Sequence, residues 1–287
     1  MSIPIVGETP TPSQASQLLE HPLLSRLQWE FKRTGCHHNL TPVQLVFLYF
    51  TAELTEHEKH DVLTAAVRGG DVSTVKFLLA RNVSPFEDDV VIAIDLNARG
   101  LLDEFFRHDP TLINRSVSAS FPPFLAKAVH DLDFVMWFLR RGADPNARCL
   151  FDITPLSIAC QSADIAVIKA LFAHGASAAK GSPLHWAVRR TPPDFDVIQE
   201  ILAQGADINE IMFANHPPSF YHWQDFGLGT ALHGAADTGN VSLVEFLLRK
   251  GAKKRLRDSC GKLPLDRAVS RGHKDVQVLL SRDLSRL

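Results

Sequence analysis

The chain has 287 residues, of which 45% are hydrophobic and 22% charged, and a formal net charge of −2, ordinary values for a soluble globular protein. No apolar run reaches the roughly 18 residues of a membrane span, and the N-terminus lacks the basic start and apolar core of a secretory signal. Four widely separated cysteines form no CxxC pair, which argues against a disulfide framework or zinc site and for a reducing cytoplasmic setting.

The charge is unevenly spread. From Arg249 to Leu287 there are 12 Lys or Arg against 4 Asp or Glu, while the preceding residues are net acidic. KKRLR at Lys253 to Arg257 has the form of a short basic targeting signal, which makes the nucleus an alternative location. It equally suits solvation or an acidic partner.

In chain order, residues 1–14 read as a flexible tail and 15–54 as a helical cap. Leu23, Leu24, Leu27 and Phe31 form a helical stripe within Pro22 to Arg33, and Gly35 follows as a stop. Thr41-Pro42 opens a second helix that is apolar nearly all round. Cys36-His37-His38 reads as a loop, because three adjacent residues rarely converge on one metal ion. Thr55-x-x-Glu58 has the form of a capping box.

From there the chain repeats itself. DVLTAAVRGGDVSTVKFLLARNVS begins at Asp61, TPLSIACQSADIAVIKALFAHGA at Thr154 and SPLHWAVRRTPPDFDVIQEILAQGAD at Ser182. TALHGAADTGNVSLVEFLLRKGA begins at Thr230 and LPLDRAVSRGHKDVQVLL at Leu263. Looser copies begin at Asp88 and at Pro123, the latter, third copy with a shortened turn between its helices. Thr154-Pro155 fits a helix N-cap with a first-turn proline. Ala235 and Ala236 permit close helix approach, and Gly239 suits a left-handed helix exit. Val244, Leu247 and Leu248 share one face of a second helix. A single unit cannot bury its apolar face, so the units must stack.

These copies resemble ankyrin repeats over about four fifths of the chain. The resemblance implies an all-α solenoid of helix-turn-helix-finger units: about seven repeats over residues 55–287, preceded by the helical cap. An F-box-type recruitment element is the alternative for residues 15–54, although no matching signature is present. The resemblance also implies that His185 and His233, at equivalent positions, bond backbone in the adjoining turn. It makes Asp225, five residues before Thr230 as Asp258 is before Leu263, an ordinary finger residue.

One interval is too long. The starts at Ser182 and Thr230 are 48 residues apart, about 15 more than a normal repeat. Two extra residues fall near Thr191 to Asp194, and the rest enlarge a finger at 210–229 that carries NHPPSFYHWQDFGLG. By the resemblance, fingers and first helices form the concave face where partners bind. Trp186 is expected to face that groove, with the equivalent Gly234 leaving a gap beside it. The expected binding residues are therefore Trp186, Arg189, Phe220, Tyr221, His222, Trp223 and Asp237. The expected function is recognition of a protein partner, with scaffold packing of the aromatics as the plainer reading.

The rival expectation is a small-molecule binder or enzyme with its site under the finger, drawing on His216, Tyr221, His222 and Arg189. No nucleophile–base–orienter set is readable, so no catalytic residue, metal ligand or cofactor is expected. Cys160 sits at a small, buried position unsuited to a reactive thiol. The repeats lack the interleaved aromatic and basic residues of single-strand readers, which argues against nucleic acid.

Overall fold

The computed structural model describes residues 55–118 and 120–282. The expected tail, the cap helices and Cys36-His37-His38 lie outside these residues. The chain divides into two compact units, Met1–His108 and Asp109–Leu287.

The first unit contains two helix pairs, α1 (Glu56–Arg68) with α2 (Val72–Leu79) and α3 (Glu87–Asp95) with α4 (Arg99–His108). Helix α1 begins directly after Thr55, five residues before the repeat start at Asp61. Asp71 caps α2 by accepting from Thr74 N at 3.0 Å. The turn joining the two helices of the second copy carries Asn97 in the left-handed region at φ 50°. Leu63, Val75, Leu78, Leu101, Leu102 and Phe105 are fully buried between the helices.

The second unit opens with a 3-10 turn, Pro110–Asn114, and a two-stranded antiparallel ribbon of β1 (Ser116–Ser118) and β2 (Phe121–Pro123). Ser116 pairs with Pro123 and Ser118 with Phe121. The first helix of the looser copy at Pro123 is consequently reduced to a 3-10 turn, Phe124–Ala128, before α5 (Leu132–Arg140). Pro122 and Pro123 supply the reason: their fixed φ and missing N–H favour extended chain over the start of a helix.

Regular pairs follow: α6 (Pro155–Ser162) with α7 (Ile165–Ala173), then α8 (Pro183–Ala187) with α9 (Phe195–Ala203). After an inserted helix, α10 (Pro217–Trp223), come α11 (Ala231–Thr238) with α12 (Val241–Arg249) and α13 (Pro264–Arg271) with α14 (Lys274–Ser281). The inner helices stack in order, α6 on α8, α8 on α11 and α11 on α13. The outer helices follow, α5 on α7 and α7 on α9, then α12 on α14. Ala235 and Ala236 are fully buried at the inner stack, as are Leu243, Val244 and Leu247 behind it. Gly239 leaves α11 at φ 71°, the left-handed exit its position demands.

The caps also follow from sequence. Thr154 Oγ1 accepts from Ser157 N at 3.2 Å, while Thr154 N donates to Ser157 Oγ at 3.1 Å. Ser157 Oγ in turn donates to Gly181 O at 2.8 Å, joining the cap of α6 to the next repeat. We expect Thr154→Ala to lower stability by about 1 kcal/mol, read as an earlier urea midpoint; an unchanged midpoint would exclude this role.

The fingers share a second device. Asn146 donates to Gly175 O at 2.7 Å and accepts from Ser177 N at 2.9 Å. Asn209 does the same two repeats later, bonding Gly251 O at 3.3 Å and Lys253 N at 2.8 Å. Each asparagine side chain thus satisfies backbone groups of the following finger.

Candidate functional site

The long finger is an ordinary one opened at its base. In two normal fingers, Cys149 N bonds Ile153 O and Asp258 N bonds Lys262 O, the acceptor lying just before the next helix cap. In the long finger Met212 N bonds Gly229 O at 3.0 Å in the same relation. Met212, not Asp225, therefore occupies the position of Asp258. This corrects the equivalence expected from counting back five residues: the inserted chain intervenes, and Asp225 stands exposed on a 3-10 turn, Gln224–Phe226.

The insertion is fastened at both ends. Phe213, at φ 61°, donates its N–H to Ser182 Oγ at 3.0 Å. His216 caps α10, its Nδ1 accepting from Ser219 N at 3.3 Å and from Ser219 Oγ at 2.8 Å. Leu228 N donates to Ser259 Oγ at 2.7 Å, and Ser259 N returns a bond to Leu228 O at 2.9 Å. Arg267 donates to Gly227 O and forms a two-pronged pair with Asp258. Met212, Phe213 and Leu228 are buried together, with Trp186, Phe220 and Trp223 packed against them.

The two equivalent histidines bond backbone, as the resemblance implies. His233 Nε2 donates to Lys262 O at 3.0 Å, and its Nδ1 accepts from Thr230 N at 3.0 Å and from the Thr230 hydroxyl at 2.9 Å. Gly229 must be glycine here, because a Cβ would stand 2.5 Å from the His233 ring. His185 Nε2 donates to both Glu210 O and Gly229 O at 3.1 Å. Its Nδ1 has no hydrogen-bond partner among the described residues: Ser182 is left-handed at φ 47°, and its Oγ accepts from Phe213 N instead. Burial lowers the His185 pKa to about 4, against the pull of its carbonyl bonds. Burial raises Glu210 to about 7, although Asn215 donates to its carboxylate at 2.8 Å.

A cavity of about 610 Å³ lies beneath the finger. Trp186, Arg189, His222, Trp223 and Asp237 line it, together with Gly234. Trp186 is half-buried and donates Nε1 to Gly181 O at 3.0 Å. Arg189 is exposed, its guanidinium 5.7 Å from the Trp186 ring centre. His222 lies 4.7 Å from Phe151, a residue of the finger two repeats earlier, and Trp223 meets the same ring edge-on at 5.7 Å. Asp237 pairs with Arg267 at 3.1 Å and Arg271 at 3.5 Å.

Two expected residues are placed differently. Phe220 packs on the buried cluster beneath α10, and Tyr221 is 69% exposed; neither lines the cavity. Phe151, Met212, Phe213, Phe226 and Arg267 line it without having been expected. Phe226 was within the quoted aromatic stretch; Phe151 had no signal, being one phenylalanine in a different finger.

The chemistry available is mainly recognition. Both nitrogens of His233 bond within the fold, and Asp237 is held by two arginines. Thr230, the hydroxyl beside His233, is 2% exposed and serves the helix cap. Burial drives the Cys160 thiol pKa well up. Among the described residues no group of His, Cys, Asp or Glu could hold a metal ion, and no helix is long and apolar enough to cross a membrane.

Residues 124–212 and 216–285 match the family model for ankyrin repeats. The chain belongs to the ankyrin repeat family. Ankyrin repeats are generally protein–protein interaction modules. The chain is 27% identical over 185 residues to "Ankyrin repeat protein nuc-2" of Neurospora crassa, a match covering 63% of this chain and 16% of that relative. Within the ankyrin array, the matched segments leave residues 213–215 between them, at the start of the inserted finger.

Proposed function

We propose that this ankyrin array binds a protein partner through its concave face, at the cavity beneath the inserted finger. The observation that carries this reading is an apolar hollow walled by Trp186, Trp223 and Phe151, with Phe226 standing 75% exposed at its edge. Aromatic side chains with a buried base and an exposed edge are effective anchors for a partner. The seven repeats and N-terminal cap proposed for residues 15–287 would leave this face in the array's C-terminal half.

Partner binding should weaken at least about tenfold in Trp223→Ala, the scale of an interface hot spot. A partner captured from native extract with the full chain would be titrated against wild type and variant, with thermal melts checking the fold. Equal affinity in a folded variant would overturn the assignment of this face. A small-molecule ligand is the second reading, favoured by the cavity's volume, which is within the about 300–1,000 Å³ of ligand pockets. Native mass spectrometry of the purified chain would show such a ligand as a bound mass that Trp223→Ala reduces.

A further inference from the structure

We propose that the segment bound in this cavity is an extended peptide with one bulky apolar side chain and a carboxylate close beside it. The inference rests on the protein-recognition reading above and adds the chemistry of the partner.

The apolar requirement comes from the walls. Trp186, Trp223, Phe151 and Phe226 surround the hollow, and Gly234 leaves one side without a side chain. The volume of about 610 Å³ admits a tryptophan-sized side chain together with the backbone on either side. Excluding water from such walls favours an apolar occupant.

The carboxylate requirement comes from counting the charges. Three guanidinium groups, on Arg189, Arg267 and Arg271, gather around two carboxylates, Asp237 and Asp258. Arg267 bridges Asp258 and Asp237, and Arg271 also reaches Asp237. Asp225 and Lys262 both line the adjoining hollow of about 340 Å³ and offset each other in charge. One positive charge remains, on Arg189, which feels Asp237 at longer range but forms no close ion pair among the described residues. Its guanidinium stands over Trp186, so one end of an apolar side chain in the cavity would lie beside a cation with no close carboxylate. A planar guanidinium offers a carboxylate two parallel donors. The same excess charge disfavours a lysine-bearing occupant, despite the aromatic walls.

The test uses three fluorescein-labelled, end-blocked Gly/Ser peptides with a central tryptophan. Its two neighbours are both Glu, both Gln or both Lys, and binding to the full chain is followed by fluorescence anisotropy. The Glu peptide should bind about tenfold more tightly than the Gln peptide, and the Lys peptide more weakly than either. Arg189→Gln should close the gap between Glu and Gln, and Arg189→Glu should reverse the order of Glu and Lys. Arg189 is exposed, so neither change removes core packing; thermal melts would verify this. Replacing the central tryptophan by alanine should abolish binding of the Glu peptide.

Equal binding of the Glu and Gln peptides would overturn the inference, as would a Glu preference that survives Arg189→Gln. No binding by any of the three peptides would also overturn it. A captured partner that loses affinity in Trp223→Ala but is indifferent to Arg189→Glu would sink the carboxylate requirement while leaving the protein-recognition reading in place.

Discussion

Arg267→Ala lowers the stability of the second unit by about 3–5 kcal/mol, the cost of leaving a buried charge without its partner. The Asp258 side chain is fully buried, and Arg267 meets its Oδ2 through Nε at 3.1 Å and Nη2 at 2.6 Å. Oδ1 keeps its bonds from Cys260 N and Lys262 N, both at 2.9 Å, so the loss should fall near the lower end. The same arginine holds Asp237 and the carbonyl of Gly227, so the variant also releases the far end of the inserted finger. Urea unfolding measures the first effect, and faster amide exchange at Gly227 and Leu228 measures the second. Adding Asp258→Asn to Arg267→Ala should restore part of the stability, since the stranded charge is then absent. A single variant as stable as wild type would refute this account.

The acid side of the same pair has a definite sign. Burial pushes the Asp258 carboxyl up, but Arg267 and the two backbone donors outweigh it and hold its pKa below the usual value. A carboxyl depressed in the folded state contributes stability above its unfolded pKa. That contribution disappears as pH falls through the folded value.

Glu210→Gln should make the chain more sensitive to mild acid. His185 has a folded pKa of about 4 against 6.5 for the free side chain. Between these values the unfolded chain takes up a proton that the folded chain refuses, so stability falls as pH drops from 6.5 to 4. The full loss is about 3 kcal/mol. Glu210 acts in the opposite direction: its folded pKa of about 7 exceeds the usual 4.5, so the folded state keeps a proton that the unfolded state releases. Its contribution is complete below 4.5 and disappears as pH rises through 7. The two slopes oppose each other across pH 4.5 to 6.5. Removing the carboxyl uncovers the histidine, and stability in urea should then decline more steeply over this window than in wild type. Parallel profiles would show that the two groups do not titrate as assigned.

Much of the repeat architecture was legible because its signals are local. A Thr-Pro start, a small-residue face and a glycine exit are each set within a few residues, and Thr154, Ala235 and Gly239 all perform as their types require. The third copy was harder, because its first helix competes with two prolines and a ribbon whose partner strand lies outside the repeat pattern. The insertion was visible as excess length, but its register was not. Asp225 matched Asp258 by spacing, whereas the backbone bond to Gly229 selects Met212 instead. At the site, Trp186 and Trp223 were legible from repeat position and local composition. Tyr221 and Phe220 were not separable from Trp223, because the facing of a short inserted helix depends on where its ends are tied. Phe151 reaches the cavity from a finger two repeats earlier, which no local pattern signals.

Ser182 has a consequence for modularity. Its neighbours in the array begin their helices with Thr154 and Thr230, whose hydroxyls serve their own caps. Ser182 instead lends its hydroxyl to Phe213, the first residue past the base of the insertion. The inserted loop has thereby become a shareholder in the host repeat's helix start. Cutting out residues 213–228 is not a local edit, since it orphans a hydroxyl already committed to a left-handed backbone. Transplanting the loop into another repeat would require the serine to travel with it.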